Sequence, residues 1–177
     1  VAEGANLSLD TLKIVNIADA LIENNSGEVS VNNVEIAENA KKVIYNAGVL
    51  RFSGKNSINS GVYGDGGTTY VSGETTLNSI RQNNIFISDG GKLSVSENLN
   101  AAGIINLSGV NSMLYLNGND MTVAGTIKGL GSTEINGKVT LSDNADWSEI
   151  KALISESGTF DIGTKNVSLS ELEVDAP

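Results

Sequence analysis

The 177-residue chain contains no cysteine and no histidine, and a single proline. Without cysteine there is no disulfide framework, no CxxC metal site and no thiol nucleophile, and without histidine no Ser-His relay can be assembled inside the chain. Basic residues are also few: 11 Lys and Arg face 21 Asp and Glu, a net charge of −10. The basic residues are scattered, which speaks against nucleic acid, since phosphate binding needs a concentrated cationic surface. No apolar run approaches the roughly 18 residues of a membrane-spanning helix, and "VAEGANLSLD" lacks the basic and apolar regions of a signal peptide. Aromatic residues make up only 5% of the chain, so a core must be built from aliphatic side chains.

What the chain has in quantity is glycine (20 residues), asparagine and serine, set among short aliphatic alternations. This composition points to many short strands and turns rather than a helical bundle. One phrase recurs. With Gly48 as position zero, Leu50 and Phe52 fall at plus two and plus four. The same frame fits Gly27 with Val29 and Val31, Gly67 with Thr69 and Val71, and Gly91 with Leu93 and Val95. It continues through Ser112 with Leu114 and Leu116, Gly131 with Thr133 and Ile135, and Gly158 with Phe160 and Ile162, and a weaker copy opens at Ala5 with Leu7 and Leu9. Successive starts lie roughly 19 to 27 residues apart, a solenoid period. Four copies end in Ser-Gly or Asn-Gly, at residues 53–54, 72–73, 117–118 and 136–137, which read as corners.

Second and third strands follow in most repeats, as in "VEIAE", "TTLNS", "MTVAG" and "VTLSD", then "KVIYN", "NIFIS", "IINLS" and "GTIKG". Three short strands per repeat predict an all-β fold, a parallel β-helix of about seven to eight coils forming a single domain over 1–177, a fragment of a longer repetitive protein. Thr69 and Thr133 are the weak inward positions, and the asparagines are expected to supply turns and ladders between coils. A helical reading stands beside the strand reading for "NIADALIENN" and "EIAENAKKVIYN". The spacing of Trp147, Ile150, Leu153 and Ile154 also allows a short helical excursion near 146–154, capped by Asp146.

Motifs that invite chemistry have structural readings. "GVYGDGG" (61–67) and "SGKNS" (53–57) lack the setting and spacing of phosphate loops and read as corners, and "SDGG" lacks the repeated Gly-Gly-x-Gly-x-Asp unit of calcium nonapeptides. Asp143, Asp146 and Glu149 are the candidates for a carboxylate pair of the glycosidase kind, set against a solvated turn and a helix cap. No catalytic residue, metal or cofactor is expected. The plus-three positions form the candidate site: Ser30, Arg51, Tyr70, Ser94, Tyr115, Glu134 and Asp161 stand in one outward ladder if the repeat register holds, with Arg51, Tyr70, Tyr115 and Glu134 as binding residues for a glycan or a partner protein.

The phrases "AKKVIYNAGVLRFSGKNSI", "SGVYGDGGTTYVSGETTL" and "GKLSVSENLNAAGIINLSG" resemble the β-helical passenger domains of bacterial autotransporters. That resemblance implies a non-catalytic stalk or adhesin outside the Gram-negative outer membrane, carried by a carboxy-terminal barrel that this sequence does not include. It further implies a partner that is a protein or glycan of a host or neighbouring-cell surface. The alternative is a β-helical polysaccharide-degrading enzyme or a tailspike-type glycan-binding protein.

Overall fold

The structure, a computed structural model, describes residues 1–15, 22–37, 44–165 and 167–175. Among them every regular element is a strand, and the strands pair in parallel, coil upon coil. The chain is a β-solenoid of about eight turns. Each turn has three sheet faces, which can be followed through one inward residue per coil. On the first face the register runs Leu7, Val29, Leu50, Thr69, Ile85, Ile105, Ile127, Trp147 and Val167. On the second it runs Ile14, Ile36, Ile58, Leu77, Val95, Leu116, Ile135, Ile154 and Val174. On the third it runs Ile22, Ile44, Val62, Ile80, Leu99, Val123 and Leu141.

Alternation with period two sends these side chains toward one continuous core, where Val29, Leu50, Phe52, Leu77 and Leu93 are completely buried, although Val174 in the last coil is 56% exposed. Each such side chain contributes roughly 1.5–3 kcal/mol, so stacked aliphatics hold the rod without many aromatics. Corners are made in two ways. Strand Lys55–Tyr63 bends from the second face to the third at a register slip between Ile58 and Gly61, and Lys92–Leu107 covers all three faces with slips at Val95/Asn98 and Asn100/Ile104. The Ser-Gly and Asn-Gly dipeptides make tight corners that stack on one another. A Cβ on Gly73 would lie 2.1 Å from the carbonyl oxygen of Gly54, and one on Gly137 would lie 2.0 Å from that of Gly118.

The expected asparagine ladders are present. Asn24 Nδ2 donates to Asn46 Oδ1 (2.7 Å), and Asn46 Nδ2 donates to Gln82 Oε1 (2.6 Å), all three residues buried at the corner between third and first faces. The intervening coil places Gly64 at this level. Gln82, one methylene longer than asparagine, spans that gap, and its Nε2 donates to the carbonyls of Gly64 (2.9 Å) and Asn46 (3.1 Å).

Three expectations are corrected. First, residues 146–154 are not helical: Asp146–Ile154 is a strand, pairing with Thr126–Lys128 on the first face and Ser132–Ile135 on the second. Glu149 sits between these segments at φ 61°. It is an extra corner residue that shifts the phase of two period-two runs, so Trp147, Ile150, Ala152 and Ile154 point inward with a spacing that imitates a helix. Second, the glycine-led phrase does not return to one face. Gly27, Gly48 and Gly67 lead first-face strands, Gly91, Ser112 and Gly131 lead second-face strands, and Gly158 leads a third-face strand. Third, Ile162 is not inward but 38% exposed, while Phe160 packs on Trp147 with ring centroids 4.7 Å apart. The helical readings of 16–25 and 35–46 fall largely on residues 16–21 and 38–43, outside the described residues, and the flanking segments Ile22–Asn24 and Ile44–Asn46 are strands.

Candidate functional site

The four candidate residues separate into two ladders. Arg51 and Tyr70 are neighbours on the first face, in the outward column Ser30, Arg51, Tyr70, Phe86, Asn106, Lys128. Tyr115 and Glu134 are neighbours on the second face, in the column Ser57, Thr76, Ser94, Tyr115, Glu134, Leu153. Asp161 pairs with Thr140 on the third face. The single ladder expected from the repeat frame is therefore corrected. For Tyr115 and Glu134 the physical cause is one short coil: Thr69 pairs with Ile85, only sixteen residues further on, whereas Leu7 pairs with Val29, twenty-two further on. The first face is regained by "NIFI", which carries no leading glycine, and Phe86 was missed for that reason. The alternation of Ile85 and Ile87 around it was the available signal.

The first-face ladder is closed on itself. The Arg51 guanidinium stands 4.5 Å from the Tyr70 ring centroid, and Phe86 stacks on the opposite face of that ring at 5.1 Å with an interplanar angle of 16°. Arg51 Nε also donates to Glu28 Oε1 at 3.0 Å. Both members of that ion pair are more than two-fifths exposed, which limits it to about 0–1 kcal/mol. The cation–π contact adds about 0.5–1 kcal/mol and the ring stack about 0.5–1.5 kcal/mol. Because the rings pile along the solenoid axis, both π-faces of Tyr70 are covered, and only its edge and hydroxyl face outward.

The second-face ladder is open. Tyr115 has serine above it (Ser94) and glutamate below (Glu134), and its ring has no aromatic partner among the described residues. The size step from tyrosine to serine leaves a groove of about 320 Å³ lined by Glu74, Lys92, Ser94, Tyr115, Asn117, Glu134 and Asn136. Asn136 Nδ2 donates to Asn117 Oδ1 at 2.9 Å along one rim. Lys55, Glu74 and Lys92 alternate in sign in the adjoining outward column.

The other motifs fall where turns are needed. Asp65-Gly66 and Asp89-Gly90 form turns, and Lys55 opens a second-face strand directly after the Gly54 corner. Asp143 lies in a turn, Asp146 in an outward column opposite Thr126, and Glu149 at a corner. Lys165, hydrogen-bonded at 2.8 Å, holds the Asp143 carboxylate below its ordinary range. Glu171 and Glu173 raise Lys151, and Asp65 raises Arg81, in each case chiefly through hydrogen bonds between the charged groups. All three effects strengthen charged forms already paired along or between coils. Among the described residues no cluster of three or more acidic side chains is placed to hold a metal ion, and no helix is long and apolar enough to cross a membrane. The chain matches no family model, no curated protein and no solved structure.

Proposed function

We propose that the chain is a non-catalytic surface solenoid of the autotransporter-passenger kind, a stalk that carries adhesive ladders outside a Gram-negative outer membrane. The observation that carries this reading is the ladder organisation itself. Outward side chains are used coil after coil to pair with one another: Glu28 with Arg51, Arg51 with Tyr70, Tyr70 with Phe86, Lys151 with Glu171 and Glu173, Lys165 with Asp143. Such pairing stiffens a rod, whereas proton-transfer chemistry needs a carboxylate whose proton affinity is raised, beside an open substrate site. Asp143, held low by Lys165, is the opposite case. The edge of Tyr70, the Arg51 guanidinium and the open Tyr115–Glu134 groove are the surfaces a protein or glycan of a neighbouring cell would meet.

Mass spectrometry of peptides shaved from the surface of native cells tests the setting. Peptides downstream of "LEVDAP" that form roughly ten-residue alternating strands of a membrane barrel support the passenger reading. A continuation into a tail or a wall-anchoring segment overturns it and brings the tailspike or glycan-enzyme reading forward. Turnover of bacterial or plant polysaccharides by the purified chain, with or without calcium, overturns the non-catalytic part.

A further inference from the structure

A groove of about 430 Å³ crosses the third face, on residues that neither outward ladder uses. Its volume lies within the range of small-molecule sites. Its depth comes from a descent in side-chain size. In one outward column Tyr63 is followed by Arg81, Asn100 and Ala124 in successive coils, so the surface drops over three steps of about 4.8 Å. The parallel column carries Gly61, Ser79, Asn98 and Thr122. One wall is Glu97, an extra residue where the register slips between Val95 and Asn98. Such a bulge turns a side chain out of the pleat, and Ser79 Oγ donates to Glu97 Oε2 at 3.1 Å.

At the upper end the Tyr63 ring lies across the strand. Its Cε2, Cζ and Oη atoms each stand 2.7 Å from where a Cβ on Gly61 would be, so the ring covers the glycine face-on. Electrostatics narrow the choice of ligand. The Arg81 guanidinium is committed to Asp65 through two hydrogen bonds of 2.5 and 2.6 Å. Glu97 has no ion-pair partner among the described residues. The side chains of Asn98, Asn100 and Thr122 make no hydrogen bond among the described residues, and all three line the groove.

We propose that this groove binds a neutral saccharide segment. Asn98 and Asn100, two positions apart on one strand, project on the same side and offer paired donors and acceptors of the kind that match vicinal hydroxyls. The Thr122 hydroxyl extends that set, while the Ala124 methyl supplies apolar surface for the C–H face of a sugar ring. The uncompensated Glu97 carboxylate disfavours an acidic sugar. None of these residues belongs to the ladders of the first two faces, so failure of saccharide binding here leaves the stalk reading untouched.

Titration of the 177-residue protein with maltohexaose, cellohexaose and chitohexaose, followed through the side-chain amide NMR signals of Asn98 and Asn100, tests the proposal, with polygalacturonate as the acidic comparison. At least one neutral hexamer is expected to shift both amides, and polygalacturonate is not. Asn98→Ala and Asn100→Ala, both at the surface, are each expected to weaken binding by about tenfold. Ala124→Arg, which fills the groove, abolishes it. The proposal is overturned if no neutral hexamer shifts either amide at millimolar concentration, if polygalacturonate is preferred, or if binding survives both asparagine substitutions within about twofold.

Discussion

Two buried threonines at equivalent places in the repeat phrase are expected to respond in opposite ways to one substitution. Thr69 and Thr133 are both fully buried, each standing where other coils carry Leu or Ile. Thr69 Oγ1 donates to Gln82 Oε1 at 3.1 Å, and that oxygen also accepts from Asn46 Nδ2 at 2.6 Å. Thr133 Oγ1 has no hydrogen-bond partner among the described residues. Thr133→Val removes an orphaned hydroxyl, a penalty of about 1–3 kcal/mol, and replaces it with a methyl worth about 0.8 kcal/mol buried. It is expected to stabilise the protein by about 1–3 kcal/mol. Thr69→Val gains the same methyl but loses a hydrogen bond worth about 0.5–1.5 kcal/mol, with Gln82 Oε1 still satisfied by Asn46, so it is expected to lie between neutral and about 1 kcal/mol destabilising. Thr133→Ser keeps the orphaned hydroxyl and loses a methyl, and is expected to cost about 1 kcal/mol.

Urea unfolding with m-values checked for constancy gives the global numbers. Because a solenoid can open coil by coil, amide exchange at Ser132–Ile135 and Thr68–Val71 gives the local ones. The reasoning is refuted if Thr133→Val is no more stable than the parent at unchanged m, or if Thr69→Val gains as much.

Three further predictions concern the corners, the ladders and pH. Gly67→Ala places a Cβ 2.1 Å from the Asn46 carbonyl oxygen and 2.6 Å from both Asn46 Nδ2 and Gln82 Oε1, whereas on Gly66 the nearest such atom is 4.0 Å away. Gly67→Ala is therefore expected to cost about 1–3 kcal/mol in denaturant melts, and Gly66→Ala to fall within about 0.5 kcal/mol of the parent. Tyr70→Ser breaks the Arg51–Tyr70–Phe86 stack and is expected to cost about 1–2.5 kcal/mol. Tyr115→Ser, which loses no ring partner, is expected to cost less than about 0.5 kcal/mol; equal losses in thermal melts argue against the closed-stack description. The Asp143 carboxylate is held below its ordinary pKa of 3.8 by Lys165. Its contribution is present above that ordinary value and is lost as pH falls through the depressed one, so amide exchange in the turn 162–165 is expected to accelerate there. Asp143→Asn is expected to flatten that acid dependence.

Ala124 and Gly64 illustrate how a solenoid makes concavity. A ladder of equal side chains gives a flat ribbon, and a break in size gives a depression or a bridge. On the third face the step from Arg81 through Asn100 to Ala124 opens a groove outward. Inside the neighbouring corner, the step at Gly64 is closed by the longer Gln82. The same rule explains why Tyr115 beside Ser94 leaves space while Tyr70 between Arg51 and Phe86 does not.

Most of the strands and inward residues, though not Ile162 or the segment 146–154, and the coil-upon-coil stacking were legible in the sequence, because each is set by local rules. Period-two alternation decides which side chains face the core, and Ser-Gly and Asn-Gly mark corners where no Cβ fits between stacked backbones. The adjacency of Arg51 and Tyr70 was legible for the same reason, being the pairing of two consecutive phrases. Which of three faces a phrase occupies was not legible. All three faces impose the same demand, apolar in and polar out, so nothing in a phrase names its face, and the assignment depends on the summed lengths of the coils before it. One sixteen-residue turn from Thr69 to Ile85 was enough to move Ser94, Tyr115 and Glu134 to the second face, and the wider step from Glu134 to Asp161, a coil plus one further face, carried the phrase to the third. The extra corner residue Glu149 likewise turned two strands into an apparent helical spacing. The groove of Arg81, Asn100 and Ala124 exists only through register, since these residues are about twenty apart in the chain and become neighbours when parallel strands pair. Local alternation determined the strand and its inner face, and only the accumulated geometry of the wound chain decided which residues meet on the outside.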